Sequence, residues 1–372
     1  MTMDSSVQLS VANNRLWVDF GEGVTGEFAA VWLADNRAED RHANGQRLID
    51  IMDLPDEIAL ERAELADGVV RVTFKGGLPP FCRPLGWLRA TLGPIGAVRP
   101  ELDRHAWLEG ARLDATADFA WVQHERFCAD PAVRGLWLRR LARDGLAFLA
   151  GMPCVEGTIV STCSLMGEVP HTNYGLLFDV RAVPSPENLA FTDLGLGLHT
   201  DNPYRDPVPG FQALHVLKAS PDGGDSLFAD GLALAEHLRH TDAEAFAVLT
   251  RTPVTFHYRA ADADLCSVKP LIELGVDGLI RAVHYNNRSI APLREGVEDT
   301  EAFYRAYRAF ARLMREPRFQ LRRRLEDGEM VVFDNRRTLH GRTGFTSQRH
   351  PRHLQGCYLT RDSVLSNAAL LP

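Results

Sequence analysis

The stretch "LGLHTDNPYR", residues 196–205, carries an apolar-alternating run into a turn: "FTDLGLGL" (191–198) leads to His199-Thr200-Asp201, and Asn202-Pro203 follows. That is the pattern of a strand running into a loop. Residues i and i+2 of a strand point to the same side, so the imidazole of His199 and the carboxylate of Asp201 can reach one ion. The same triplet recurs as His240-Thr241-Asp242 in "RHTDAEAF". There it reads as a helix start, with Thr241 or Asp242 as the N-cap and Glu244 in the first turn. The triplet alone therefore decides nothing, and its meaning depends on residues elsewhere.

The deciding partner is "EMVVFDNRRTLHGRTGF" (329–345), a strand, a turn at Asp334-Asn335, and then His340 beside Gly341. Two His and one carboxylate on one face of iron leave three positions open. An iron(II) bound by His199, Asp201 and His340 has room for a bidentate 2-oxo acid and for O2. The far carboxylate of such a cosubstrate calls for an arginine. Arg349 and Arg352 are candidates, and Arg352 has the better spacing to His340. Ser226, in "GGDSLFAD", offers a hydroxyl to the same carboxylate.

Bulk properties set the frame. The chain has 372 residues and a formal net charge of −8, with 45% hydrophobic and 24% charged residues. These values fit a globular protein of about two domains. Without a basic run, nucleic acid and anionic membrane surfaces are poor partners. The N-terminus lacks the pattern of a signal peptide, and no apolar stretch is long enough to predict a spanning helix. Cys82, Cys128, Cys154, Cys163, Cys266 and Cys357 are scattered with no CxxC pair, which suggests reduced thiols and a cytoplasmic location.

The segment "TFKGGLPPFCRPLGW" (73–87) is the best domain boundary by Gly and Pro content. "DPAVRGLWLRRLARDGLAFLAG" (130–151) reads as one helix, capped by Asp130 with Pro131 first, burying Leu136, Leu138, Leu141, Leu146 and Leu149. "TEAFYRAYRAFARLMREP" (300–317) reads as a second, with Phe303, Tyr307, Phe310 and Met314 facing the core. Short strands surround them: "RLWVDF", "GVVRVTF", "FQALHVLKA", "DSLFAD", "LIRAVHY", "MVVFDN" and "CYLTRD". The fold class is mainly β with flanking helices, an antiparallel barrel or jelly roll.

The blocks "LGLHTDNPYRDPVPG", "GGDSLFADG", "FDNRRTLHGR" and "RHLQGCYLTRDSVL" together resemble the catalytic domain of the iron(II)/2-oxoglutarate dioxygenases, in the branch of γ-butyrobetaine and trimethyllysine hydroxylases. "VWLADN…NGQRL" near the start resembles that branch's small N-terminal domain. The resemblance implies a double-stranded β-helix catalytic domain over 91–372, a β-rich N-terminal domain over 1–90, and a homodimer. It implies a small zwitterionic substrate with a trimethylammonium group, held by ring faces through cation–π attraction because it has no N–H to donate. Tyr174, Phe178, Phe191 and Tyr358 match the cage positions, and Tyr204 is a further wall residue. Asn188 matches a contact to the substrate's acidic group, and Asn286 or Asn287 a second.

Arg288, in "HYNNRSIAP", tips the reading toward a phosphonate, which carries more charge than a carboxylate and favours a cationic partner. The expected reaction is hydroxylation of 2-(trimethylammonio)ethylphosphonate at the carbon bonded to phosphorus, with γ-butyrobetaine as the alternative. Trimethyllysine, with Asp193 or Asp206 holding its amino group, and a non-catalytic ligand-sensing barrel are further alternatives. The branch commonly places zinc-binding cysteines after the "W-L-x-D-N" pattern. Here "RAEDRH" (37–42) stands in their place, with His42 the sole plausible ligand, so no structural zinc is expected. Metal analysis of the purified protein should find iron; stoichiometric zinc beside it would overturn this expectation.

Overall fold

The computed structural model describes residues 7–92, 106–107, 120–181, 193–293, 299–345 and 352–372. The chain divides into two compact units, Met1–Ala97 and Val98–Pro372.

The first unit holds two three-stranded antiparallel sheets: β1 (Gln8–Ala12), β2 (Arg15–Asp19) and β3 (Thr25–Ala29), then β4 (Leu60–Ala66), β5 (Val69–Phe74) and β6 (Phe81–Pro84). Period-two patterning builds its core, with Leu16 and Val18 from β2 and Val70, Val72 and Phe74 from β5 buried together. Helix α1 (Ala30–Asp35) follows β3, and α2 (Leu85–Ala90) follows β6. The Gly- and Pro-rich stretch 73–87 is thus not a linker. It pairs as β6 with β5 and continues into α2, because Pro84 stands just before the helix, where its missing N–H costs nothing.

After α1 the chain is held by arginines. Arg37 Nε donates to Asp40 Oδ2 at 2.6 Å and Arg41 to Asn36 Oδ1 at 2.8 Å, and Arg47 pairs with Asp35. Arg83 donates to the carbonyls of Asn36 and Arg37. The loop containing "RAEDRH" is therefore cross-linked by guanidinium–oxygen bonds.

The second unit runs β7 (Ala120–Gln123), α3 (His124–Ala129), α4 (Pro131–Asp144), β8 (Leu146–Ala150), α5 (Thr158–Ser164), β9 (Phe178–Arg181), β10 (Leu196–His199), β11 (Phe211–Lys218) and β12 (Ser226–Asp230). Next come α6 (Gly231–Thr241), α7 (Ala243–Arg251), β13 (Val254–Arg259), β14 (Asp264–Lys269), β15 (Ile272–Leu274), β16 (Ile280–Val283) and α8 (Thr300–Leu313). It closes with β17 (Leu321–Arg323), β18 (Met330–Asp334), β19 (Thr338–Arg342), β20 (His353–Leu359) and α9 (Arg361–Leu370). Among the described residues no helix is long and apolar enough to cross a membrane.

Two sheets make the jelly roll: six strands in the order β7-β8-β18-β11-β20-β9 and four in the order β10-β19-β12-β17. Strands β8 and β18 of the larger sheet are buried on both faces and read as nearly continuous apolar runs, LAFLA and MVVFD. Phe211, Ala213, Met330, Val332, Cys357 and Leu359 point outward under α4, α5 and α9. Their alternating neighbours point inward, where Phe148, Val331 and Phe333 meet Phe228 of the smaller sheet.

The long helix expected over 130–151 stops at Asp144. Gly145, at φ 74°, caps it in the left-handed conformation, and Leu146 and Leu149 belong to strand β8. Within α4, Leu136 is half-exposed and Trp137 is buried in its stead. The predicted aromatic stripe of α8 is buried, with Phe303, Tyr307, Phe310 and Met314 all in the core.

One buried ion pair fixes the turn from which the third candidate ligand emerges. Arg337 donates through Nε and Nη2 to the two oxygens of Asp230, at 3.0 and 2.8 Å, and neither side chain is exposed. Asp230 also caps α6 by accepting from Leu232 N, and Arg337 Nη1 donates to Arg143 O at 2.6 Å. Breaking one side of such a pair leaves a buried charge. Arg337→Ala should lower the unfolding free energy by about 3–5 kcal/mol, measurable by urea denaturation.

Candidate active site

Strands β10 and β19 run antiparallel with His199 directly opposite His340. The pairing slips between Leu196 and His199, one extra residue lying on β10. A bulge of this kind re-aims the side chain that follows it. It also brings Gly197 O within 2.8 Å of His199 Nδ1, which leaves Nε2 to face Asp201 Oδ1 at 3.2 Å. Gly341, beside His340, is required by close approach: a Cβ there would lie 2.5 Å from Leu196 O. His340 Nε2 lies 3.8 Å from Asp201 Oδ2.

The loop carrying Asp201 is clasped from behind. The side chain of Asn335 accepts from Asp201 N at 2.7 Å and donates to Asp201 O at 2.9 Å. Thr200 N donates to Tyr285 O at 2.7 Å, and Asn286 Nδ2 donates to Thr200 O at 3.0 Å. Asn202 takes φ 53°, a conformation asparagine tolerates, and accepts the Tyr204 hydroxyl at 2.7 Å.

Burial pushes the Asp201 carboxyl up, but His340, His199 and the Tyr358 hydroxyl together outweigh it and hold the group below the usual carboxylate range. Burial, and then His199, pull His340 down to about 3. An anionic carboxylate and a neutral imidazole are the ligating forms. One donor atom from each of His199, Asp201 and His340 lies within 4.8 Å of the others. This donor set fits iron(II), which those three residues would hold.

The triad opens onto a cavity of about 370 Å³. Ser226 and Arg352 line it, both buried. Burial, and then Arg342 beside it, lower the Arg352 guanidinium to about 10. Arg342 was not anticipated. It lies two residues beyond His340 on the same face of β19, opposite Ser226, and lines the cavity. Both arginines lie over the Phe345 ring, at 5.3 and 5.5 Å.

Aromatic rings form the remaining wall. Tyr174 lies 6.2 Å from Phe178, Phe178 lies 5.3 Å from Tyr358, and Tyr174 Oη meets Tyr204 Oη at 3.0 Å. Tyr258, which sequence reasoning missed, stacks on Tyr204 at 5.0 Å and stands 6.2 Å from Tyr174. Its strand, β13, alternates apolar and polar residues in "VTFHYR", a pattern that marks a strand but not a site. Arg205 hydrogen-bonds Asn173 and so ties the turn of Tyr174 to that of Tyr204. Arg288 lines the cavity, and its charge acts on both His340 and Arg342. Asn286 lines it too; one of its two amide N–H groups donates to Thr200 O, and its oxygen accepts Arg288 N. Asn287 is exposed, accepts from Tyr307 Oη, and is not part of the wall. Asn188, Phe191 and Arg349 lie outside the described residues.

Comparison with known proteins places this geometry. Residues 122–358 match the profile described as "Taurine catabolism dioxygenase TauD, TfdA family". The chain belongs to the TauD/TfdA dioxygenase family. Over 364 residues it is 33% identical to the gamma-butyrobetaine dioxygenase of Pseudomonas sp. (strain AK-1), covering 95% of this chain and 93% of that one. It is 26% identical over 387 residues to the trimethyllysine dioxygenase of Meyerozyma guilliermondii, covering 98% and 95%. Among solved structures, asparagine oxygenase in complex with Fe(II), 2S,3S-3-hydroxyasparagine and succinate superposes with a TM-score of 0.51 at 21% identity, over 64% of this chain and 82% of that one. That likeness supports the jelly-roll fold. As a member of the family the chain is an enzyme that uses iron(II), 2-oxoglutarate and O2, which excludes the sensing-barrel alternative.

The second triplet has no part in this site. His240 closes α6, and Asp242 caps α7 by accepting from Ala245 N at 3.0 Å. His199→Ala or Asp201→Ala should abolish 2-oxoglutarate turnover. Asp242→Ala should cost only stability, about 1 kcal/mol, with turnover intact. Succinate release and thermal melting of the three variants compare these effects.

Proposed function

We propose that the protein hydroxylates a small zwitterion with a trimethylammonium group at one end and an acidic group at the other. The favoured substrate is 2-(trimethylammonio)ethylphosphonate, hydroxylated at the carbon bonded to phosphorus. Five rings, Tyr174, Phe178, Tyr204, Tyr258 and Tyr358, beside one cavity suit a cation that donates no hydrogen bond. Burial raises the phenols of Tyr204 and Tyr358, so both remain neutral. The observation that carries the anionic half is Arg288, a guanidinium on the same cavity as the rings and the triad.

Bound iron(II) and 2-oxoglutarate supply, with O2, an oxidation strong enough to hydroxylate an unactivated C–H bond. The protein's part is placement. The ring wall holds the ammonium end and Arg288 the acidic end, so one carbon of the short chain between them is presented to the triad. Ser226 and Arg352 hold the far carboxylate of 2-oxoglutarate, an assignment their place on the cavity wall supports.

γ-Butyrobetaine is the second reading, favoured by the 33% identity with the Pseudomonas enzyme over nearly the whole chain. Trimethyllysine has less support, because Asp193 and Asp206 are not among the residues lining the cavity. Succinate release with each candidate separates the readings: the phosphonate should give the fastest coupled turnover. Arg288→Ala should reduce kcat/KM for the phosphonate by about 10–100-fold, the loss of one charge-assisted hydrogen bond, and reduce it less for butyrobetaine. Faster release with butyrobetaine would transfer the assignment to that substrate. No release above the uncoupled background with any of the three would reject the trimethylammonium class.

A further inference from the structure

Tyr358 takes part in both halves of the site. Its ring is part of the cavity wall, and its hydroxyl donates to Asp201 Oδ2 at 2.9 Å. Asp201 Oδ1 stands 3.2 Å from His199 Nε2, while Oδ2 stands 3.8 Å from His340 Nε2. Both carboxylate oxygens are therefore near any ion held by the two imidazoles. The chemistry allows only one of them to bind. Two His and one carboxylate oxygen leave three positions, two for a chelating 2-oxo acid and one for O2. A carboxylate gripping with both oxygens would take one of those three.

We propose that the Tyr358 hydroxyl is a positioning group that holds Asp201 Oδ2 away from the metal, so that Asp201 ligates through Oδ1 alone and the cosubstrate finds both its positions free. The ring is well placed to do this. Tyr358 sits on β20 opposite Gln212 of β11, its side chain is buried, and Phe178 packs against it. The ring fixes where the hydroxyl oxygen stands, and the ring is a wall of the substrate cavity. Hydrogen bonds that orient a metal's ligands are typically worth 10–100-fold in metal affinity or activity; a bond that instead frees a coordination position acts on the affinity of the cosubstrate.

The inference rests on iron binding by the triad and not on the identity of the substrate, so its test uses none. Tyr358→Phe keeps the ring and removes only the hydroxyl. Metal-free wild type and variant are titrated with Co(II), and the Co(II)-loaded proteins are then titrated anaerobically with 2-oxoglutarate. The variant should bind Co(II) at least as tightly as wild type, because Asp201 gains a second grip. Its affinity for 2-oxoglutarate should fall by about tenfold, the equivalent of one hydrogen bond to a charged group. Unchanged 2-oxoglutarate affinity would overturn the proposal. So would a parallel loss of Co(II) affinity, which would mean that the hydroxyl merely supports the ligand. A failed substrate screen would leave this result standing.

Discussion

His199 and His340 meet because two strands pair in one register, and most of the catalytic unit serves to keep that register. A slip of one residue would turn His340 to the other face of its strand and leave the two imidazoles on opposite sides of the sheet. The bulge before His199, the close passage of Leu196 over Gly341, and the double hydrogen bond from Asn335 to the backbone of Asp201 each act against such a slip. The buried pair Arg337–Asp230 works on the same problem from the far end of β19, anchoring the turn three residues before His340. Metal geometry is thus enforced by backbone pairing and buried polar clasps more than by the ligands themselves.

Much of this was legible in the sequence because short runs rich in β-branched and apolar residues, bounded by turn residues, mark strands. The runs in β11, β12, β18 and β20 were recognisable, and the blocks holding "LGLHTD" and "LHGR" named the triad, although the pairing of β10 with β19 that joins it is seen only in the structure. Where the reading failed, two periodicities competed. "DGLAFLAG" continues the apolar spacing of the preceding helix closely enough to pass for its last turns, and only the left-handed Gly145 ends it. The stretch 73–87 looked like a linker because Gly and Pro mark both linkers and tight strand–helix junctions, and here it is the latter.

The site shows the same division. Residues tied to a motif, such as Ser226, Arg352, Tyr174 and Tyr358, fall on the cavity wall. Arg342 was readable in principle, since it lies two places from His340 and a strand repeats its face every second residue. Tyr258 was not, because β13 reaches the cavity only through tertiary folding, with His257 N bonded to Ser289 O beside Arg288. Either Asn286 or Asn287 was read as a contact to substrate; Asn286 lines the cavity, and its amide also joins Thr200 to the start of the Arg288 loop, which leaves one N–H and one lone pair for other partners.

That last tie has a consequence for how the enzyme can diversify. The loop that carries Arg288, the proposed anion-binding residue, is fastened by Asn286 to the residue lying between two candidate metal ligands. Residue 288 joins this fastening only through its backbone N–H, so exchanging its exposed side chain leaves the tie in place. Position 286 is not free in this sense, since any change there disturbs catalysis and recognition together. New substrate preferences in this scaffold are therefore more accessible through the exposed neighbour than through the buried one, although both face the same cavity.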